Sequence, residues 1–308
     1  MNYILFISSR LGVETLSVLT KEDLNIEHVF IEKDHKHELR QYYKEAVKIC
    51  TYYNINYSLN AGNEKILSIL DESNSSIDYI MSFGYRRMIN EKIIEKVKIA
   101  ALGSHFSPLP EYRGFAPLNW LLINGEKKTA VNLFYLDEAV DNGDVVAKKE
   151  VEISYEDDIN SLFEKCLEAF KFILKETIPA LEENNFGATA QDNSKATFTC
   201  ARSPEDSRID WHKDSLSIYN LIRALTYPYP GAFTYYKGKK LTIISAEEYE
   251  EGEYVGRIEG RVIKIIRNKG VVVLCSKGSV LIKEVMVEDT HEIIQAEKII
   301  TSVRDTLL

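Results

Sequence analysis

Hydrophobic and polar positions switch between two periods along the first part of the chain. "NYILFIS" is a short apolar run rich in β-formers, and "VETLSVLTKE" after it repeats apolar residues at helical spacing, so a strand, a loop and a helix are predicted in that order. "IEHVFIEK" reads as a second strand. "HELRQYYKEAVKICTYYN" and "EKILSILDES" read as helices, and "IDYIMSFGY" as a strand closing on Gly84. Strands alternating with helices pair in parallel, which predicts an α/β fold built on an open, Rossmann-like doubly wound sheet, with ligands beyond the carboxyl ends of its strands. "TAVNLFYLD" and "DVVAKKEVEI" add two strands joined by "EAVDNG", and "INSLFEKCLEAFKFILKETIPALEEN" is a long amphipathic helix.

The pattern then breaks. "NFGATAQDNSKATF" is polar, rich in small residues and aperiodic, which sets a first domain at 1–188, a linker at 189–203 and a second domain at 204–308. The second domain opens with the helix "SLSIYNLIRAL", stopped by "YPYPG" because proline cannot continue it. Short β-rich runs punctuated by glycine turns follow, and these predict a small barrel.

Composition narrows the partners. A formal net charge of −9 disfavours a phosphate backbone, which needs clustered Lys and Arg, so a small molecule is the expected ligand and nucleic acid is disfavoured. The start of the chain lacks a basic, apolar leader, and no run of eighteen apolar residues occurs, so a soluble cytoplasmic protein is expected. Cys50, Cys166, Cys200 and Cys275 lie far apart, as buried thiols would, with no CxxC pair to suggest zinc. The first strand is followed by a single glycine rather than GxGxxG, which disfavours a dinucleotide.

Chemistry concentrates in "GSHFSPLPEYRGFAPLNW". His105 lies at a strand end, where such a sheet presents functional groups, and can exchange protons near neutral pH; a structural histidine is the competing reading. Asp141 in "EAVDNGD" could orient the imidazole or simply form the turn, and Asp144 competes with it. Arg113 and Tyr112 could meet an anionic or ring-bearing ligand, or Arg113 could pair with Glu111 or Asp137 and hold the loop.

"SHFSPLPEYRGFAPLNWLLINGE" with "TAVNLFYLDEAVDNGDVV" resembles the H-G-S-L-L-P-x-Y-R-G-x-x-P and D-x-G-D/A-I motifs of the methionyl-tRNA formyltransferase superfamily, which uses 10-formyltetrahydrofolate. "ARSPEDSRIDWHK" and "LIRALTYPYPGAFTYYKGKKL" resemble its carboxyl-terminal, OB-like domain, so the likeness spans nearly the whole chain. It implies formyl transfer to an amine, with His105 and Asp141 as the catalytic pair. "IMSFGYRRMI" is similar to the folate-lining segment of the aminoarabinose and other sugar formyltransferases. The folate contacts so implied are Phe83, Tyr85, Arg86, Ile89, Leu136, Asp137 and Asp141.

The family writes N-x-H where this chain has Gly103-Ser104-His105. A missing oxyanion donor costs about two to three orders of magnitude in rate. Glycine there is also expected to open space. Water, the Gly103 backbone, Asn119 or Asn132 could substitute, or the chain could be a folate-binding relative or a formyl hydrolase.

For the acceptor, the tRNA enzymes carry a basic loop after the second strand, where this chain has the mixed-charge "EKDHKHELRQYYKE", and residues 201–308 hold 16 Lys plus Arg against 16 Asp plus Glu. The expected acceptor is therefore a nucleotide-linked amino sugar, contacted by Ser9, Arg10, Ser107, Pro110, Tyr112, Arg113, Gly114 and Pro117, with Arg10 or Arg113 meeting its diphosphate. Methionyl-tRNA is the alternative, and a homodimer is left open.

Overall fold

The computed structural model describes residues 1–34, 40–73, 76–250, 252–288 and 292–308. In chain order the elements begin with β1 (Asn2–Ile7), α1 (Ser9–Leu19), β2 (Asn25–Ile31), α2 (Tyr43–Tyr52), β3 (Asn56–Leu59), α3 (Asn63–Glu72) and β4 (Tyr79–Phe83). Then come α4 (Glu91–Ile94), β5 (Ala100–His105), β6 (Arg113–Gly114), α5 (Pro117–Ile123), β7 (Lys128–Tyr135), β8 (Val145–Glu152) and α6 (Ile159–Glu182). The remainder carries β9 (Phe198–Thr199), α7 (Ser215–Leu225), β10 (Ala232–Tyr236), β11 (Lys239–Tyr249), β12 (Val262–Ile266), β13 (Gly270–Leu274), β14 (Ser279–Val287), β15 (Ile293–Gln295) and α8 (Ala296–Ile299).

Seven strands form one sheet in the order β3-β2-β1-β4-β5-β7-β8. The first five run parallel, while β7 lies antiparallel to β5 and β8 antiparallel to β7. The doubly wound sheet read from the strand and helix pattern is therefore present, with a hairpin closing one side. Two details differ from that reading. Edge strand β3, "NYSL", is mostly exposed and has no apolar face for a periodicity argument to find. Among the described residues the helix expected from His37 begins at Tyr43, and residues 35–39, which include the start of the expected span and part of the mixed-charge segment, lie outside the described residues.

Alternation along the strands builds two cores. On one face of the sheet Phe83 packs edge-on against Phe170 of α6, with ring centroids 5.4 Å apart, and Phe106 meets the same ring at 5.5 Å. On the other face Ile4, Phe6, Phe30, Ile80 and Ala101 form a buried cluster, against which Tyr85, Ile89 and Leu136 are half-buried.

The chain divides into two compact units: residues 1–114, 128–152 and 164–198 in the first, and 115–127, 153–163 and 199–308 in the second. The sequence suggested a single cut, whereas these units interleave. The physical reason lies in α7: Asn119 donates from Nδ2 to the Ala224 carbonyl, and buried Arg223 donates to the carbonyls of Ser154, Tyr155 and Asp157. Residues 189–198, expected as linker, belong to the first unit.

The second unit holds an antiparallel sheet ordered β10-β11-β14-β13-β12, with β15 on β14. Its two ends are both bonded to residues 305–308. Leu308 exchanges backbone hydrogen bonds with Tyr235, while Val262 N–H donates to Asp305 and Leu307 N–H to Gly260. Among the described residues no helix is long and apolar enough to cross a membrane.

Three of the four cysteines are buried, but Cys200 is exposed, a correction to the expectation of four buried thiols. Burial pushes the Cys50 and Cys275 thiols up to about 12. Iodoacetamide is therefore expected to label Cys200 rapidly in the native protein, and the other three only after unfolding. Unfolded thiols ionise near about pH 8.5 while the folded ones keep their protons, so the unfolded state binds fewer protons and stability falls as pH rises above that value. Urea titrations at pH 7.5 and 10 check the sign.

Candidate active site

Strand β5 carries the site. Its register sets Gly103 opposite Phe134 and His105 opposite Asn132, so Ala101, Gly103 and His105 share one face while Leu102 and Ser104 share the other. His105 is only 7% exposed. Its Nε2 lies 2.9 Å from the Tyr112 carbonyl oxygen, and its Nδ1 lies 3.3 Å from Asp141 Oδ2. A carbonyl only accepts, so this contact assigns a proton to Nε2. The other ring nitrogen, Nδ1, faces the carboxylate.

Asp141 sits in the left-handed region, at φ +51°. Its Oδ2 also accepts from the Gly114 N–H at 2.8 Å, and its backbone carbonyl accepts from Gln191 Nε2 at 2.9 Å. Gly143 permits the turn: a Cβ there would overlap the Tyr135 carbonyl oxygen. Of the two competing aspartates, Asp141 faces the imidazole, while Asp144 is exposed and its backbone carbonyl accepts from Tyr135 N–H. Asp141 is thus both turn-former and histidine partner, readings the sequence set against each other.

Arg113 is 3% exposed and fully engaged. Its guanidinium donates to Gln191 Oε1 (3.2 and 2.7 Å), Asn142 Oδ1 (2.9 Å) and Asn193 Oδ1 (2.8 Å). It holds the loop, as one reading had it, through the amide oxygens of Gln191, Asn142 and Asn193. Asp137 accepts from Asn142 Nδ2 and the Ala139 N–H. Arg10 pairs with Glu164 and Glu14. Both guanidinium groups thus have side-chain partners within the first unit.

The other expected acceptor contacts are placed as follows. Ser107 is buried, and its hydroxyl donates to the Glu111 carbonyl. Tyr112, at φ +58°, contributes its carbonyl to His105, and its N–H donates to Thr197 Oγ1. Pro110 lies in the turn between Ser107 and Tyr112. Ser9 begins α1 beside Gly84, whose carbonyl accepts from Ser8 Oγ. Pro117 opens α5, which belongs to the second unit.

Of the expected folate contacts, Tyr85, Ile89 and Leu136 gather on one apolar shelf over the Phe6 cluster, and the Tyr85 ring meets Phe6 edge-on at 5.3 Å. Phe83 does not join them, because strand alternation turns its ring to the opposite face, against Phe170. Arg86 is exposed, and its N–H donates to Glu32 Oε2 at 3.3 Å; Arg87 pairs with the same carboxylate at 2.8 Å.

Gly103 does not open space. A Cβ built there would lie 2.5 Å from Leu136 Cδ2 and 3.4 Å from Phe134 Cε1, so Leu136 fills the volume a side chain would need. The proposed substitute donors are also committed. Asn132 Nδ2 donates to the carbonyls of His105 (2.9 Å) and Ser107 (2.7 Å), Asn119 Nδ2 to Ala224, and Ser104 points to the other face.

Sequence reasoning missed Gln191, Asn193, Thr197 and Asn142, because polar residues without periodicity read as linker or turn whether or not a buried guanidinium awaits them. Among the described residues no cluster of three His, Cys, Asp or Glu side chains could hold a metal.

Residues 1–178 match the model of the formyl transferase family, and residues 202–304 match its formyl transferase, C-terminal domain. Bifunctional polymyxin resistance protein ArnA from Wigglesworthia glossinidia brevipalpis is 36% identical over 246 residues, covering 78% of this chain and 36% of that protein. The chain thus spans about a third of that relative's length. In fold the chain resembles WlaRD, a sugar 3N-formyl transferase solved in the presence of dTDP and 5-N-formyl-THF (TM-score 0.67, 20% identity, 94% of this chain and 98% of that one). It also resembles methionyl-tRNA formyltransferase from Clostridium thermocellum (TM-score 0.54, 22% identity, 96% and 100%).

Because Leu136 occupies the volume beside Gly103, Gly103→Asn alone is expected to destabilise the protein by about 1–3 kcal/mol through overpacking. Leu136→Ala in the same chain should recover most of that loss. Urea midpoints of the two single variants and the double variant check it; additive losses would show that the two positions do not share the space.

Proposed function

Because the chain belongs to the formyl transferase family, we propose that it moves a formyl group from 10-formyltetrahydrofolate to the primary amine of a small acceptor, a nucleotide-linked amino sugar. The observation that carries this reading is the His105–Asp141 pair, with Nε2 tied to the Tyr112 carbonyl and Nδ1 facing the carboxylate. The family match over residues 1–178 and the 36% identity to ArnA support it. The half-buried shelf of Tyr85, Ile89 and Leu136 fits the flat ring system of a folate, which supplies a formyl group on a leaving nitrogen. The sugar reading also draws on the equal count of 16 basic and 16 acidic residues from 201 to 308, which gives tRNA no net attraction to that segment.

In transfer, the acceptor nitrogen bonds to the formyl carbon and the bond from that carbon to the donor nitrogen breaks. The proton lost by the amine ends on the donor nitrogen. His105 and Asp141 hold it between these two events, at the Nδ1 edge, since Nε2 is occupied by Tyr112. Asp141 orients the imidazole. With no asparagine at position 103, and with the Asn119 and Asn132 amides donating to backbone carbonyls, none of these three positions supplies a side-chain donor to the developing oxyanion. A missing donor costs about 100- to 1,000-fold, so turnover is expected to be slow for this chemistry. The filled volume at Gly103 removes the room that motivated a hydrolase reading.

The test is conversion of 10-formyltetrahydrofolate to tetrahydrofolate, alone and with nucleotide-linked amino sugars or methionyl-tRNA, with products identified by mass. Conversion dependent on one amino sugar, with formylated product, is expected. His105→Ala and Asp141→Asn should each lower it by about 100-fold or more. Equal turnover in His105→Ala, or conversion with no acceptor, would refute this assignment.

A further inference from the structure

Residues 112–114 and 141–143 each supply half of the His105–Asp141 arrangement, and one amide side chain joins them. Tyr112 gives the carbonyl that accepts from His105 Nε2, and Gly114 gives the N–H that donates to Asp141 Oδ2. Arg113 stands between these two residues, with its guanidinium on Gln191 Oε1. On the other side of the same amide, Gln191 Nε2 donates to the carbonyls of Asp141 (2.9 Å) and Gly143 (2.7 Å). Asn142, between them, accepts from Arg113 at 2.9 Å.

We propose that Gln191 is a positioning residue for formyl transfer: its carboxamide locks the Asp141 loop to the Arg113 segment and so sets the His105–Asp141 contact. This rests on the reading of that pair as the proton-handling groups. The amide chemistry makes Gln191 specific. One end must accept from a guanidinium while the other donates twice to carbonyls, and no carboxylate, hydroxyl or apolar side chain does both. The need for an external hold follows from Asp141 itself, an L-residue at φ +51°, in a turn that the local backbone does not favour. Asn193, which also accepts from Arg113 at 2.8 Å but has no hydrogen bond to the Asp141 loop, provides the internal comparison.

The test uses Gln191→Met, Gln191→Glu and Asn193→Ala in the full chain. The glutamate keeps an acceptor for Arg113 and loses both donations. The first readout needs no substrate: nitrogen NMR of the His105 imidazole across pH, assigned by comparison with His105→Gln. Wild type and Asn193→Ala are expected to share one tautomer, with the proton on Nε2, and one titration curve. Both Gln191 variants, shown to be folded by their urea midpoints, should show a shifted titration and mixed tautomers. The second readout is transfer from 10-formyltetrahydrofolate to the acceptor found in the panel, where kcat should fall by about 100-fold with KM changed far less, as a displaced catalytic group requires. The proposal is overturned if folded Gln191→Glu keeps the wild-type His105 spectrum and titration, or if Asn193→Ala disturbs them equally. Failure of every acceptor would count against formyl transfer without altering the imidazole measurement.

Discussion

A buried guanidinium that donates to amide oxygens is the constraint around which the site is arranged. Burying Arg113 away from water is costly unless its donors are satisfied, and here three side chains from two distant segments, Asn142, Gln191 and Asn193, satisfy them. The requirement draws residues 189–198 onto the first unit and fixes the backbone on both sides of Arg113. Neutral partners also matter electrostatically. A carboxylate in their place would set a second negative charge near Asp141, whereas amides satisfy the guanidinium without adding one.

Strand geometry explains how the rest of the site is apportioned. Alternation along β5 puts Gly103 and His105 on one face and Ser104 on the other, so Ser104 cannot replace the absent family asparagine. The same alternation divides the expected folate contacts, leaving Tyr85, Ile89 and Leu136 on the Phe6 cluster and sending Phe83 to Phe170. Gly103 and Leu136 form a complementary pair: the small residue on β5 accommodates the large one that follows β7. The volume beside Gly103 is therefore taken by the Leu136 side chain.

The acceptor reading changes in detail. Arg10 and Arg113 looked like diphosphate contacts because a lone arginine in a loop carries no visible partner in sequence. Glu164 lies far along the chain from Arg10, and Gln191 and Asn193 lie far from Arg113, yet these residues claim both guanidinium groups. The small-acceptor proposal stands on the family relationship and the charge balance.

By itself the sequence determined the elements and the chemical pair. Apolar periodicity placed β1, α1, β2, β4, α6 and α7, because burial of one face imposes a period that any reader of the chain can see. The long motifs around His105 and Asp141 marked both residues, because that chemistry ties residue types to short spacings. Edge strand β3 escaped notice since it buries too little to be patterned. Only the tertiary structure decided that Leu136 fills the space beside Gly103, that Tyr112 rather than a side chain ties His105 Nε2, and that an apparent linker holds Arg113. Each of these depends on which distant groups become neighbours, and a hydrogen bond between residues dozens of positions apart leaves no local period to read.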